Sequence, residues 1–258
     1  SFQEIDRVLY TNFIGTYNIL KKCSLDKAKL IFLSSSRVYS LNFLRRENLS
    51  KTIQNKINIK KTFNVLSSTD GPKSIYGFTK YASEELIREF SYLNNIKFII
   101  NRLGVVSGPW QIGKVDQGFL SLWVWHYFQK KKLNYIGYGG YGYQVRDILH
   151  IDDLCNLIFL QIKKINSINN VKFNVGGGLK NAISLNTLSK ICEKVIGNKI
   201  RIGKIKKTGI YDVPYYVSSN KIITKMYLWK PIKSIKNIVI DVYNWQKENF
   251  SYLKKINK

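Results

Sequence analysis

The chain has 258 residues, of which 45% are hydrophobic and 14% aromatic. This composition excludes an intrinsically disordered chain and is sufficient for one large domain or two smaller ones. The formal net charge is +26, and such a basic surface can attract nucleic acid. The lysines are spread along the whole chain, without a zinc-finger spacing or another nucleic-acid motif. We therefore predict no nucleic-acid partner, although a basic cleft would suit an anionic nucleotide.

The sequence also lacks the usual marks of a membrane or secreted protein. No apolar run approaches the roughly 20 residues that a membrane-spanning helix needs, and no signal peptide opens the chain. The cysteines Cys23, Cys155 and Cys192 are far apart and do not combine with histidines at metal-ligand spacing. We expect reduced core cysteines, no metal site, no membrane partner and a cytoplasmic protein.

The beginning of the chain predicts a helix followed by a buried strand. Apolar side chains recur at helical spacing over residues 5–22. The short apolar run Lys29–Leu33 ends abruptly in Ser34–Ser36, as a buried parallel strand does where its carboxyl end faces a site. The polar segment 41–73 predicts a long loop over that end of the sheet.

A second helix and strand follow, over about 74–94 and over Lys97–Ile100. This alternation is typical of an α/β fold with a parallel sheet. In the helix, Tyr76 and Lys80 lie one turn apart on the same face. Because a lysine held near a phenol favours the phenolate, the pair suits general acid/base chemistry. The spacing alone does not identify a catalytic pair, since it recurs at Tyr17/Lys21, Tyr127/Lys131 and Tyr243/Lys247.

Loops and helices alternate in the second half of the chain. The predicted elements are a site-lining loop over 104–117, an aromatic core helix over 119–129, a glycine-rich hairpin over 135–148, helices over 151–163, 184–195 and about 234–249, and strands over 171–175 and near 199–202. Residues Gly137–Gly142 match the dinucleotide fingerprint G-x-G-x-x-G. The fingerprint requires a following helix and an acidic residue about 20 positions further on. Because Gln144–Leu149 predicts an extended segment instead, we reject it.

Three polar segments are predicted at one edge of the sheet: Ser34–Tyr39, the helix with Tyr76 and Lys80, and Asn101–Gly104. With them, the chain resembles the extended short-chain dehydrogenase/reductase family of sugar-nucleotide epimerases and dehydratases. Within that family it most resembles the CDP-paratose 2-epimerase group. The matching stretches are 33–40, 101–118, 135–140, 144–154 and 173–178.

The resemblance implies a Rossmann-like parallel sheet that lacks its first βαβ units, with a smaller α/β substrate-binding domain. Residues 1–106 with about 145–178 would form the NAD-binding domain, and about 107–144 with 179–258 the nucleotide-sugar-binding domain. Relative to the family the chain starts roughly 80 residues late, without the glycine-rich turn that holds the pyrophosphate. We therefore expect a fragment of a longer protein, with reduced affinity for NAD.

The resemblance also implies roles for particular residues. Tyr76 would be the catalytic acid/base, Lys80 would favour its phenolate and bind the nicotinamide ribose, and Ser35 would be the catalytic serine. The implied cofactor contacts are Asn12, Ser35, Tyr76, Lys80 and Gly104. The implied substrate contacts are Asn101, Arg102, Gln111, Asp116, Gln117, Arg146 and Tyr216. Read structurally instead, Ser35 would only cap the end of its strand, and Arg146 would form an ion pair with Asp147.

The resemblance implies transient oxidation of a sugar hydroxyl by bound NAD, followed by return of the hydride to the other face. The expected partners are a nucleotide sugar, with a CDP-sugar favoured, and a second copy of the chain in a homodimer. A non-catalytic sugar-nucleotide-binding fragment and a 4-epimerase or 4,6-dehydratase are the alternatives. The dehydratase is disfavoured, because Ser36 and Arg37 stand where it needs an acid/base pair.

Overall fold

Helices and strands alternate along the chain, as the sequence predicts. The computed structural model describes residues 2–46, 61–114 and 117–256. In chain order the elements are α1 (Phe2–Leu9), a π-helical turn (Tyr10–Ile14), α2 (Gly15–Leu25), β1 (Leu30–Ser35), α3 (Leu41–Arg46), α4 (Ile75–Asn94), β2 (Phe98–Leu103), β3 (Val105–Ser107), α5 (Phe119–Phe128), β4 (Leu133–Ile136), β5 (Val145–His150), α6 (Ile151–Lys164), β6 (Val171–Val175), β7 (Ala182–Ser184), α7 (Leu185–Ile196), β8 (Ile202–Ile205), β9 (Tyr215–Tyr216), α8 (Lys221–Tyr227), α9 (Ile235–Glu248) and α10 (Phe250–Ile256).

The main sheet of the described chain has three parallel strands in the order β1–β2–β6. In its register Ser34 lies beside Arg102, and Arg102 lies beside Asn174. The carboxyl ends of the strands therefore meet at one edge, where ligands bind in folds of this class. The predicted α/β fold with a parallel sheet is confirmed.

Helices cover both faces of this sheet. On one face, α2 and α4 pack against β2 through Leu20, Ile87 and Ile100. On the other, α6 and α8 pack against β2 and β6 in a cluster that contains Leu157 and Phe173. A parallel strand covered on both faces must be apolar nearly throughout, which is why the strand sequences read as continuous apolar runs.

A second, mixed sheet is built around β5. This strand pairs in parallel with β3 and β9 and antiparallel with β7, while β4 and β8 form a separate parallel pair. Helices α5, α7 and α9 pack together through Leu120, Leu188 and Val242, all fully buried. Ser184 caps α7 by accepting a hydrogen bond from the Thr187 N–H at 3.2 Å, which confirms the predicted N-cap.

The predicted hairpin over 135–148 is wrong. Three successive residues, Tyr138, Gly139 and Gly140, have left-handed φ values of 48°, 77° and 74°, and they turn the chain away from a hairpin path. As a result β4 pairs with β8, and β5 joins the other sheet. The rejected dinucleotide fingerprint lies in this turn, and a strand follows it rather than the helix that a pyrophosphate site requires.

The predicted long loop over 41–73 is wrong in its first part, because Leu41–Arg46 forms α3. Leu41 and Leu44 are buried there against Val38 and Phe63, so tertiary packing overrides the polar character of the segment. Residues 47–60 lie outside the described residues. None of the helices in the described ranges is both long and apolar enough to cross a membrane. The two-domain division stays a prediction.

Candidate active site

Tyr76 lies in the first turn of α4, with 43% of its surface exposed. Ser74 caps the helix by accepting a hydrogen bond from the Gly77 N–H at 3.1 Å. A Cβ on Gly77 would lie only 2.2 Å from the Arg37 carbonyl oxygen. The glycine beside Tyr76 therefore lets the start of α4 touch the turn that follows β1.

Ser35 ends β1 and lies at the start of that turn. Its Oγ accepts a hydrogen bond from the Arg37 N–H at 3.1 Å, so the capping role suggested by the sequence is real. Because this contact uses the oxygen as an acceptor, the hydroxyl proton can still be donated to a ligand. The capping role and the predicted catalytic role are therefore compatible.

Lys80 lies one turn after Tyr76 and extends toward β1. Its Nζ stands 4.2 Å from the centre of the Phe32 ring. Burial lowers the pKa of Lys80, and the charge of Glu84 opposes the shift. The ammonium thus lies between helix and strand, at the end of the sheet where Ser35 is found. Its action on Tyr76 stays a prediction.

Asn12 reaches the same helix from the π-helical turn. Its Nδ2 donates to Thr79 Oγ1 at 3.1 Å, and Thr79 donates to the Tyr76 carbonyl at 2.9 Å. Ser83 Oγ donates to the Asn12 carbonyl at 3.2 Å. A π-turn is uncommon and often occurs at a functional site; this one fastens Asn12 to the backbone behind Tyr76.

Gly104 directly follows β2, as predicted. Its N–H donates to the Val175 carbonyl at 2.9 Å. A Cβ at this position would come within 3.0 Å of Ser218 Oγ and 3.1 Å of Asp147 Oδ1. The backbone therefore passes closely over a buried polar pair, which explains why the position suits glycine.

A cleft of about 380 Å³ opens beside the start of α4, and its lining includes Arg37, Ser74, Arg146 and Tyr216. The volume is within the range of small-molecule sites. The predicted substrate contacts Arg146 and Tyr216 thus come together next to the predicted catalytic residues. Tyr216 is buried, and its hydroxyl has no hydrogen-bond partner among the described residues. A ligand in the cleft would find it available.

Arg146 is fixed at the cleft by three acceptors. Its guanidinium donates to Asp212 Oδ1 at 2.9 Å, to the Val213 carbonyl at 2.7 Å and to the Val145 carbonyl at 2.8 Å. The alternative ion pair with Asp147 is wrong, since the carboxylate partner is Asp212. Sequence reasoning missed Asp212, which lies just upstream of the predicted contact Tyr216 and is one of only 16 acidic residues.

Asn101 and Arg102 are corrected, because the structure does not bring their side chains to the cleft. Asn101 is fully buried and exchanges two hydrogen bonds of 2.8 Å with Gln161. Arg102 is 2% exposed and makes a bidentate contact with Glu84. Both side chains hold helices against the sheet, so they are not among the substrate contacts proposed below.

The remaining predicted substrate contacts lie on the loop after β3. The Gln111 side chain accepts hydrogen bonds from Ser107 and Ser121 and donates to the Val106 carbonyl, so its polar atoms already hold the loop. Gln117 is exposed and bonds through its backbone to Lys114. Asp116 lies outside the described residues. The substrate roles of Gln111 and Gln117 stay predictions.

Asp147 is fully buried behind the cleft, where its Oδ2 accepts from the Gly178 N–H at 3.0 Å. Burial raises the pKa of this carboxyl, and the hydrogen bonds from Gly178 and Ser218 only partly oppose the shift. A folded-state pKa above the unfolded value of about 3.9 gives a stabilisation that is fully present below that value. The stabilisation is lost as the pH rises through the folded-state pKa.

We therefore expect Asp147→Asn to gain stability relative to the wild type as the pH is raised from about 4 to about 8. Asparagine keeps an Oδ acceptor for Gly178 but cannot ionise. The free energy of unfolding of both proteins, from urea titrations across this range, checks the prediction. The exposed Asp70→Asn serves as the control for loss of one carboxylate. Equal pH dependence in the wild type and Asp147→Asn would contradict the prediction.

Comparison with known proteins connects this geometry to a family. The family model described as the NAD dependent epimerase/dehydratase family matches residues 1–176. The chain is 26% identical over 242 residues to a CDP-paratose 2-epimerase of Salmonella typhi, covering 91% of this chain and 70% of that protein. It is 27% identical over 249 residues to a UDP-glucuronate 4-epimerase of Thermodesulfobacterium geofontis, covering 95% and 68%.

Solved structures show the same fold. A UDP-glucose 4-epimerase of Thermotoga maritima with UDP-glucose superimposes with a TM-score of 0.78 at 21% identity, over 96% of this chain and 73% of that one. The Rossmann-like architecture predicted for the sheet is therefore confirmed. The chain spans about 70% of the length of these relatives.

Proposed function

The chain belongs to the NAD-dependent epimerase/dehydratase family, a family of enzymes, and we propose that it acts as a nucleotide-sugar epimerase. One observation carries the proposal. Ser35, Tyr76 and Lys80 come together at the carboxyl edge of the sheet, beside a cleft that contains Arg37 and Arg146. The edge offers acid/base groups, and the cleft offers positive charge for a diphosphate.

The residues at the edge fit NAD, the cofactor of the family. Asn12, Ser35 and Lys80 are hydrogen-bond donors suited to the hydroxyl groups of a ribose and to a carboxamide. Gly104 leaves backbone close to the same edge. When bound, NAD would supply a reversible hydride acceptor. Asn12, Ser35, Tyr76, Lys80 and Gly104 are the residues that we propose to hold it.

The side chains of the chain itself would handle the proton and the substrate. The Tyr76 oxygen would take the proton of a sugar hydroxyl and later return it. The Ser35 hydroxyl would donate a hydrogen bond to the same sugar oxygen, and the Lys80 ammonium would favour the tyrosine phenolate. Arg146 would bind the diphosphate through its planar fork of N–H donors, as arginine does in phosphate sites.

The predicted sugar is that of a CDP-paratose/CDP-tyvelose 2-epimerase. This proposal is supported by the similarity to the Salmonella enzyme and by the matching stretches around Trp110–Gln111 and Tyr135–Gly140. The proposal includes a homodimer, which light scattering on the purified chain would test.

A second candidate is a 4-epimerase of a UDP-uronic acid. The similarity to the UDP-glucuronate 4-epimerase is as strong as that to the 2-epimerase. The specific observation in its favour is the excess of positive charge in the cleft, where Arg37 and Arg146 face a single named carboxylate, Asp212. An acidic sugar would use that charge.

We expect Arg146→Gln to weaken nucleotide-sugar binding by about 10-fold or more, because it removes a charge-assisted contact to the diphosphate. Isothermal titration of the chain with UDP-glucose and with CDP-glucose measures the affinities. Arg88→Gln is the matched control, since Arg88 is exposed and pairs with Glu85 on the outer side of α4. A wild-type chain that binds no nucleotide sugar would overturn the proposed function.

A further inference from the structure

Arg37 is a cleft residue to which the proposed mechanism gives no role. It follows Ser35 by two positions, and its backbone N–H is bonded to Ser35 Oγ. Its side chain remains open to solvent, while Nη1 donates to the Tyr211 carbonyl at 2.8 Å. The guanidinium is therefore held across the cleft from β1 to the loop that carries Asp212, with other N–H donors left to contact a ligand.

The electrostatic neighbours of Arg37 place it between the two ends of the proposed site. The loss of hydration in the cleft lowers the pKa of Arg37 and Arg146 lowers it further, whereas Asp212, Tyr76 and Tyr138 act in the opposite sense. Arg37 is therefore within electrostatic reach of both the diphosphate residue Arg146 and the acid/base Tyr76. A sugar that joins a diphosphate to a reacting hydroxyl would lie next to it.

The charges in the cleft are not balanced by the groups that face it. Asp212 is bound by Arg146 at 2.9 Å, and Arg45 contributes another guanidinium that donates to the backbone carbonyls of Ile210 and Asp212. Three cations thus surround one carboxylate. Like charges held close together destabilise one another until an anion enters. A diphosphate accounts for two negative charges, and a carboxylate on the sugar would add the third.

We propose that Arg37 binds a carboxylate of the sugar, so that the substrate is a nucleoside diphosphate uronic acid. The inference rests on the proposed function, in which Arg146 takes the diphosphate and Tyr76 the reacting hydroxyl. Arginine suits the role because its fork matches the two oxygens of a carboxylate. Arg37 is then a specificity-determining residue.

UDP-glucose and UDP-glucuronate test this directly, because they differ only in a hydroxymethyl or carboxylate group on the sugar. We expect the wild-type chain to bind UDP-glucuronate more tightly in isothermal titrations. Arg37→Gln should reduce the affinity for UDP-glucuronate by about 10-fold more than the affinity for UDP-glucose. Arg37→Lys keeps the charge but not the fork and should lose part of this preference, whereas Arg88→Gln should retain the wild-type ratio.

The outcomes separate this inference from the proposed function. Equal losses for both ligands in Arg37→Gln would place Arg37 on the diphosphate and overturn the uronic acid inference. A wild-type chain that binds UDP-glucose without preferring UDP-glucuronate would also overturn it, while the proposed function stands. A chain that binds neither would overturn both. Thermal unfolding of each variant verifies that the affinities are those of folded protein.

Discussion

Replacing Glu84 with glutamine is expected to lower the free energy of unfolding by about 3–5 kcal/mol, the cost of breaking one side of a buried ion pair. Glu84 is fully buried, and Arg102 is 2% exposed. Arg102 Nε lies 3.0 and 3.1 Å from the two carboxylate oxygens, and Nη2 lies 2.6 Å from Oε2. Glutamine has a similar size but no charge, so the guanidinium would lose its counter-ion in the interior.

The surroundings of the pair leave Arg102 no easy way to recover that loss. Burial acts to lower the pKa of Arg102, but the hydrogen bonds and charge of Glu84 outweigh it and raise the pKa. The guanidinium also lies 5.0 Å from the centre of the buried Tyr39 ring, and Ser34 donates its hydroxyl to Glu84. The network joins α4 to β1 and β2, and so it holds the helix that carries Tyr76.

Urea unfolding followed by circular dichroism measures the effect, with Glu85→Gln as the matched control on the same helix. Glu85 contacts Arg88 at 2.7 Å, and both side chains are exposed. Exposed pairs contribute little, so the control should change the free energy of unfolding by less than about 1 kcal/mol. A Glu84→Gln variant as stable as Glu85→Gln would show that Arg102 finds another partner, and would contradict the prediction.

This buried network shows where sequence reasoning succeeds and where it stops. The strand that contains Arg102 was predicted from its apolar run, and the parallel sheet followed from the alternation of elements. The side chain itself was assigned to the substrate, because a polar residue after a parallel strand often faces a site. Whether such a residue faces the site or a helix depends on its partner, and Glu84 is 18 positions away.

The predicted site divides in the same way. Ser35, Tyr76 and Lys80 were found because motif order and the strand ends locate them without knowledge of distant contacts. The charged lining of the cleft was found only in part. Arg37 was noted merely as a departure from the dehydratase pattern, and Asp212 was missed, since its pairing with Arg146 spans 66 positions. Nothing local in a sequence indicates which distant loop will supply a counter-ion.

Tyr76→Phe is expected to lower the rate of epimerisation by about 100- to 10,000-fold, the range over which a positioned general acid/base contributes. The substitution removes one oxygen from a side chain that is 43% exposed, so the fold should be unaffected. Binding should change much less than turnover, because the diphosphate contact at Arg146 remains. A large loss of turnover with a small loss of affinity indicates an interaction made mainly in the transition state.

The assay follows the epimer of the nucleotide sugar by NMR after incubation of the chain with NAD. Tyr81→Phe is the matched control: Tyr81 lies on the same helix, with its ring under Lys73 Nζ at 5.2 Å and away from Ser35, and should retain turnover close to that of the wild type. Tyr76→Phe turnover equal to the control would remove Tyr76 from the chemistry, even if nucleotide sugars still bind. Because Glu84→Gln acts through stability and Tyr76→Phe through turnover, measuring both quantities on both variants separates the support of α4 from the reaction at its first turn.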